Sequence, residues 1–261
     1  MDYLNYGNKF QQEPLDPHEL QDKVQLAKDD FSFGDLSQQK VPPQAPPQTN
    51  ETKDELMQLF AIPLLICPCP FEYGKELEWI KKQSYRRENK NQETGEFLNR
   101  QSDDTFILDK PEMSRVKQFI EAKIHEYVTN IMESDNEMVI TQSWLNKNGK
   151  GEAHHAHKHP NSMISGVWYP QIHKNLPPIK FTNSQQRDVS FSIKKYNRFN
   201  SATFMLPMNK GELILYPSNL SHSVNTNQFD EERISLSFNT WAKGSLGDKE
   251  LLTYLPFDRL M

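Results

Sequence analysis

GELILYPSNLSHSV, residues 211–224, holds the clearest architectural signal in the chain. Its apolar run, Leu213 to Tyr216, is too short for a helix and is bounded by Gly211 and Pro217, so it reads as a buried strand. A polar turn at Ser218 and Asn219 follows, and His222 then leads into a second short strand. The same texture extends both ways after residue 137. EMVITQSWLN (137–146), MISGVWYPQI (163–172), PIKFTN (178–183), DVSFSI (188–193), ATFMLPM (202–208) and RISLSFNTWA (233–242) are short β-rich runs separated by Gly, Pro, Asn and Ser. That pattern predicts a sandwich or small barrel.

Upstream the periodicity is helical. Val116, Phe119, Ile120, Ile124, Tyr127, Val128 and Ile131 recur at spacings of three and four and mark one buried helix face. Asp109-Lys-Pro-Glu112 has the pattern of a capping box and predicts where this helix starts. Residues 72–88 carry a weaker helical pattern, and LMQLFAIPLLIC (56–67) reads as a short helical turn running into a strand. Helices followed by about eight short strands predict an α+β protein with a jelly-roll-like β core and N-terminal supporting helices.

Residues 1–55 lack sustained apolar periodicity and end in a Pro/Gln-rich stretch, so they read as an arm and linker. A single domain is expected over 56–261, with helical support over 72–132, the β core over 137–243 and a C-terminal extension over 244–261. With a net charge of -5 and a mean hydropathy of -0.79, the chain offers no basic patch for nucleic acid. It has no apolar window long enough to span a bilayer, and no signal-peptide pattern, which predicts a cytoplasmic protein. A homodimer is the default expectation. Cys67 and Cys69 sit too close for an unstrained disulfide and read as ordinary thiols.

The chemistry concentrates in HHAHKHP, residues 154–160. Residues two apart on an extended chain share a face, so His155, His157 and His159 are expected to converge and His154 to point away. Two imidazoles at this spacing offer a metal adjacent coordination positions, and a facial site needs a third ligand from elsewhere. His18, His125 and His173 lack companion residues, whereas His222 leads into a strand and is followed, at the start of the next one, by Arg233, which shares a face with Ser235 and suits a carboxylate.

Taken in order, H-x-H, SGVWY (165–169), G-x-L-x-x-Y-P-S-x-x-x-H-S-V (211–224) and R-I-S-x-S-F-N (233–239) resemble the iron(II)- and 2-oxoglutarate-dependent dioxygenases. More narrowly, they are similar to an oxygenase subfamily known from bacteria and marine phages. LFAIPLL (59–65) and NRQSDD (99–104) extend the resemblance to roughly residues 56–243.

The resemblance implies a double-stranded β-helix of the jelly-roll, cupin-like kind. It also implies Fe(II), 2-oxoglutarate as co-substrate, O2, and hydroxylation of a small molecule or protein side chain. Carried over, His157, His159 and His222 become metal ligands, and Arg233 with Ser235 becomes the co-substrate clamp. Tyr169 stands where prolyl hydroxylases present a hydroxyl to the same carboxylate. The chain departs from the pattern at His159, where the superfamily keeps a carboxylate. Three imidazoles leave iron(II) near +2, so a dianionic co-substrate would make the centre neutral. His159 as an outer group, and His155 with His157 as the ligating pair, stay open. Gln142, Trp144 and Asn146 are expected at the pocket mouth. Two other readings remain: a three-histidine dioxygenase without 2-oxoglutarate, and a metal-stabilised jelly-roll binding or virion-associated module.

Overall fold

The computed structural model describes residues 61–91, 94–95, 97–183 and 191–257. They lie in a compact unit spanning Ala61–Met261. The arm and linker expected over 1–55 fall outside the described residues, as do His18 and the helical turn expected before Ala61.

Among the described residues, eleven strands form two antiparallel sheets. The larger takes β1 (Leu65–Pro68), β9 (Glu212–Pro217), β6 (Ile164–Gln171), β11 (Arg233–Ala242), β4 (Met138–Asn148), β3 (Phe97–Gln101) and β2 (Arg87–Lys90), in that spatial order. The smaller takes β5 (His154–His157), β10 (His222–Val224), β7 (Ile179–Thr182) and β8 (Thr203–Leu206), in that order. The two sheets make a double-stranded β-helix, and the fold class is α+β.

Alternation along the strands of the large sheet explains why the central ones read as continuous apolar runs: both faces are covered. Trp168 of β6, Leu213 and Leu215 of β9, and Leu236 and Phe238 of β11 join the cluster built on the helix face. Their neighbours Val167, Tyr169, Ile214 and Tyr216 join Ile179, Phe181 and Leu206 of the small sheet in a second cluster. Gly166 is required by this packing, since a Cβ there would lie 2.2 Å from Phe238 Cζ. On β11 the face toward the small sheet is entirely polar: Arg233, Ser235, Ser237 and Asn239. Such a face fills no core, and a cavity opens against it.

The helical support differs in detail from the sequence reading. Helix α1 covers only Gly74–Lys81, and the helical pattern of 72–88 ends there. Arg87–Lys90 instead pairs with Phe97–Gln101 as a hairpin on the sheet edge, with Gln101 in register with Asn146 of β4. Asp109 does not cap the long helix. It closes a 3-10 turn, Ile107–Asp109, and accepts a 2.8 Å bond from Lys117 Nζ. A second 3-10 turn, Pro111–Met113, precedes α2 (Ser114–Glu126). The buried face of α2 is the one expected: Val116, Phe119, Ile120 and Ile124, continued by Tyr127 and Val128 in a π-helical turn, with Ile131 packed against it.

Of DVSFSI, Phe191–Ile193 form no strand and residues 188–190 fall outside the described set. Cys67 is buried in the helix-side cluster, Cys69 packs against it, and both are free thiols. Burial pushes the Cys67 thiol up to about 11, which keeps it protonated and inert. No helix among the described residues is long and apolar enough to cross a membrane.

Candidate metal centre

His157 ends β5 and His222 begins β10, and the two are cross-strand partners. His159, two residues past β5, is held by its backbone N–H on the Ser218 carbonyl at 3.0 Å. The ring nitrogens of His157, His159 and His222 that could serve as ligands lie within 4.8 Å of one another. His159 and His222 are buried, at 8% and 5% exposure.

Each of the three rings has an acceptor behind it. His157 Nδ1 lies 2.9 Å from the His155 carbonyl, His222 Nδ1 3.0 Å from the Leu220 carbonyl, and His159 Nδ1 2.5 Å from Asn239 Oδ1. A carbonyl oxygen only accepts, so His157 and His222 carry their proton on Nδ1 and leave Nε2 with a free lone pair. Tyr216 Oη, 3.2 Å from His222 Nε2, fits that assignment by donating to it. A metal requires neutral imidazoles, and the surroundings supply them. Burial first, then the neighbouring His157 and His159, lowers His222 to about 2; burial lowers His157 to about 4 and also brings His159 down.

His154 does not point away. It stacks on His157 at 4.6 Å with the rings 16° apart, and burial first, then His157 and Arg233, lowers its pKa well below the ordinary value. The cause is a β-bulge. His222 and Val224, two residues apart on β10, pair with His157 and His154, three residues apart on β5. The extra residue breaks the parity on which simple alternation relies. His155 also lines the cavity, its Nδ1 buried without a hydrogen-bond partner, and its ring lies 5.1 Å from that of His157.

Arg233 is 5% exposed, yet its Nε and Nη1 have no hydrogen-bond partner among the described residues. The guanidinium sits 5.1 Å over the Tyr169 ring, and the buried Tyr169 hydroxyl lies within the field of that guanidinium with no other partner among the described residues. Burial raises the Tyr169 phenol, which therefore stays a donor. A buried cation and a buried O–H with nothing to bind are costly unless an anion joins them. Ser235, 1% exposed, is two residues on along the same face. The cavity between the sheets, about 320 Å³, is lined by the histidines, Arg233, Ser235 and the three side chains expected there, Gln142, Trp144 and Asn146.

Residues 142–239 match a family profile described as "Putative 2OG-Fe(II) oxygenase". The matched stretch runs from β4 to β11 and holds every residue of the candidate centre. Among solved structures, the chain is similar to a 2OG-Fe(II) oxygenase family oxidoreductase from Burkholderia pseudomallei (13% identity, 68% of this chain and 84% of that one, TM-score 0.49). It is also similar to HygX from Streptomyces hygroscopicus, solved with nickel and 2-oxoglutarate (8%, 69% and 82%, 0.49). A Pseudomonas putida prolyl-4-hydroxylase is a third (10%, 70% and 92%, 0.46). No functionally curated protein matches the chain.

Two residues at the centre have no role in the sequence reading. Asn239 behind His159 belongs to the quoted RISLSFN motif, and strict alternation from Arg233 through Ser235 and Ser237 brings it to the same face. Tyr216 sits in the GELILYP strand, where alternation with Leu215 turns it toward the small sheet.

Proposed function

We propose that His157, His159 and His222 hold the iron through Nε2. Arg233, Ser235 and Tyr169 then take the far carboxylate of 2-oxoglutarate, and a substrate C–H bond beside Gln142, Trp144 and Asn146 is hydroxylated. The carrying observation is the pairing of three converging neutral imidazoles with a buried guanidinium that lacks an anion. The donor set fits the metal: borderline nitrogen ligands suit Fe(II), and three of them leave coordination positions open. The unpartnered Nε and Nη1 of Arg233, with the Tyr169 hydroxyl, fit a carboxylate.

Bound together, iron(II) and 2-oxoglutarate supply the oxidising chemistry, with decarboxylation to succinate and CO2. The protein's residues do the rest. Burial keeps the imidazoles unprotonated, and Nδ1 acceptors fix the His157 and His222 rings and leave Nε2 as the ligand atom of each. Arg233 and Tyr169 orient the co-substrate through its remote end. The amide and indole groups of β4 line the space left for substrate, a small molecule or a protein side chain.

A weak visible charge-transfer band is expected when Fe(II) and 2-oxoglutarate are added together without oxygen. No band at saturating concentrations of both would remove the chelate from this site. A three-histidine dioxygenase without 2-oxoglutarate would leave Arg233 unpaired, and a closed four-ligand structural site would leave the cavity without purpose.

A further inference from the structure

The departure at His159 has a counterpart behind it. Asn239 Oδ1, 2.5 Å from His159 Nδ1, is also 3.3 Å from Ser165 Oγ. Ser165 is the cross-strand partner of Asn239 on β6, and its hydroxyl is 2.8 Å from Ser218 Oγ. Ser218 Oγ in turn donates to Ser162 Oγ at 2.7 Å, and Ser162 Oγ accepts the Thr240 N–H at 3.2 Å. Ser165 and Ser218 are 0% and 1% exposed. Four polar side chains from β11, β6 and the adjoining turns therefore form one network that ends on the His159 ring. A register shift in the β11–β4 ladder falls between Asn239 and Thr240, at the point where the strand must aim that amide.

We propose that Asn239 is the positioning residue of the metal centre: its amide oxygen holds the His159 proton on Nδ1 and turns Nε2 toward the point where His157 and His222 converge. The inference rests on His159 being a ligand, and it concerns how an imidazole is made to serve where relatives use a carboxylate. A carboxylate presents either oxygen to a metal and needs no tautomer. An imidazole does, because a proton on Nε2 would abolish ligation. Unlike the backbone carbonyls behind the other two rings, an asparagine can present either end of its amide. Ser165, by donating its one hydroxyl proton to the Asn239 oxygen, sets that end, and Asn239 is therefore the member of the centre whose replacement changes a tautomer instead of removing a ligand.

Two measurements on the full-length chain test this. In the metal-free protein at pH 8, long-range 1H–15N correlation should report His159 protonated on Nδ1, and Asn239→Ala should shift the ring toward the Nε2-protonated form. Co(II) titration should show Asn239→Ala weakening binding about 10- to 100-fold with altered d–d bands, the range for loss of an outer hydrogen-bond partner. Asn239→Asp, which can only accept, should restore binding to wild-type strength or better. The proposal is overturned by an Nε2-protonated His159 in the wild type, by unchanged Co(II) affinity and spectrum in Asn239→Ala, or by Asn239→Asp binding as weakly as Asn239→Ala. Wild-type protein that binds no Co(II) would sink the metal-site reading instead. The nitrogen spectra then still decide the role of Asn239. If Asn239→Ala does not fold, judged by circular dichroism, the wild-type tautomer and Asn239→Asp carry the test.

Discussion

The two sheets divide the labour of the site unequally. The large sheet contributes Arg233, Ser235 and Tyr169 from β11 and β6, strands of 10 and 8 residues that are buried almost throughout. The small sheet contributes His157 and His222 from β5 and β10, strands of 4 and 3 residues joined across a bulge. The proposed clamp for a constant co-substrate thus stands on the part of the fold with the most cooperative packing. The proposed metal ligands stand on two short neighbouring strands whose pairing depends on one extra residue. Long ladders tolerate local loss better than short ones, so damage to each sheet should read out differently.

The largest effect is expected on the small sheet. His222→Ala should abolish retention of stoichiometric iron after desalting, with little change in circular dichroism; retained iron would place the metal elsewhere. Next, Arg233→Met should raise the 2-oxoglutarate requirement about 10- to 150-fold, as expected for losing charge-assisted hydrogen bonds of about 1.5–3 kcal/mol. The same substitution should leave the metal-free protein at least as stable, because it removes a buried unpaired charge. A melting temperature that falls sharply would mean that Arg233 holds the fold together and does not await an anion.

Gly166→Ala probes the large sheet alone. The added methyl would meet Phe238 Cζ at 2.2 Å and Leu215 Cδ2 at 2.8 Å. Overpacking of this kind costs about 1–3 kcal/mol. Chemical denaturation should show that loss with Co(II) affinity unchanged; a parallel fall in affinity would show that the sheets are coupled.

The smallest effect concerns pH. His157 and His222 have folded-state values of about 4 and about 2, below the ordinary 6.5 of an unfolded histidine. The unfolded chain therefore binds more protons between those values and 6.5. Metal-free stability is full above pH 6.5 and falls as the pH drops toward 4. At pH 6 each of the two histidines should cost about 1 kcal/mol relative to pH 8. Equal unfolding midpoints at pH 8 and pH 6 would remove this account of the neutral imidazoles.

The contrast between the sheets also explains what the sequence disclosed. Strands buried on both faces, such as GELILY and RISLSF, betray themselves by composition, as does the face of α2 from Val116 to Ile124. The hairpin of β2 and β3 does not. RENK has no apolar alternation, and the hairpin is held by cross-strand pairing and amide bonds such as Asn89 to Asn99 at 2.8 Å and Gln101 to Asn146 at 3.1 Å. Parity was enough to align Arg233 with Ser235 but failed at His154, because a bulge has no signature in residue type. The start of α2 misled for a related reason. The Asp-Lys-Pro-Glu pattern suits a helix cap, yet two 3-10 turns fit between Phe106 and Ser114 and displace it.

Trp144 gives the centre an optical reporter of its own. Its ring lies 5.8 Å from that of His159, and of the chain's four tryptophans it alone lines the cavity. A paramagnetic ion seated on the imidazoles would quench that indole's emission by proximity, leaving the light from Trp79, Trp168 and Trp241 in place. The protein thus carries a built-in fluorescence gauge of whether its centre is loaded.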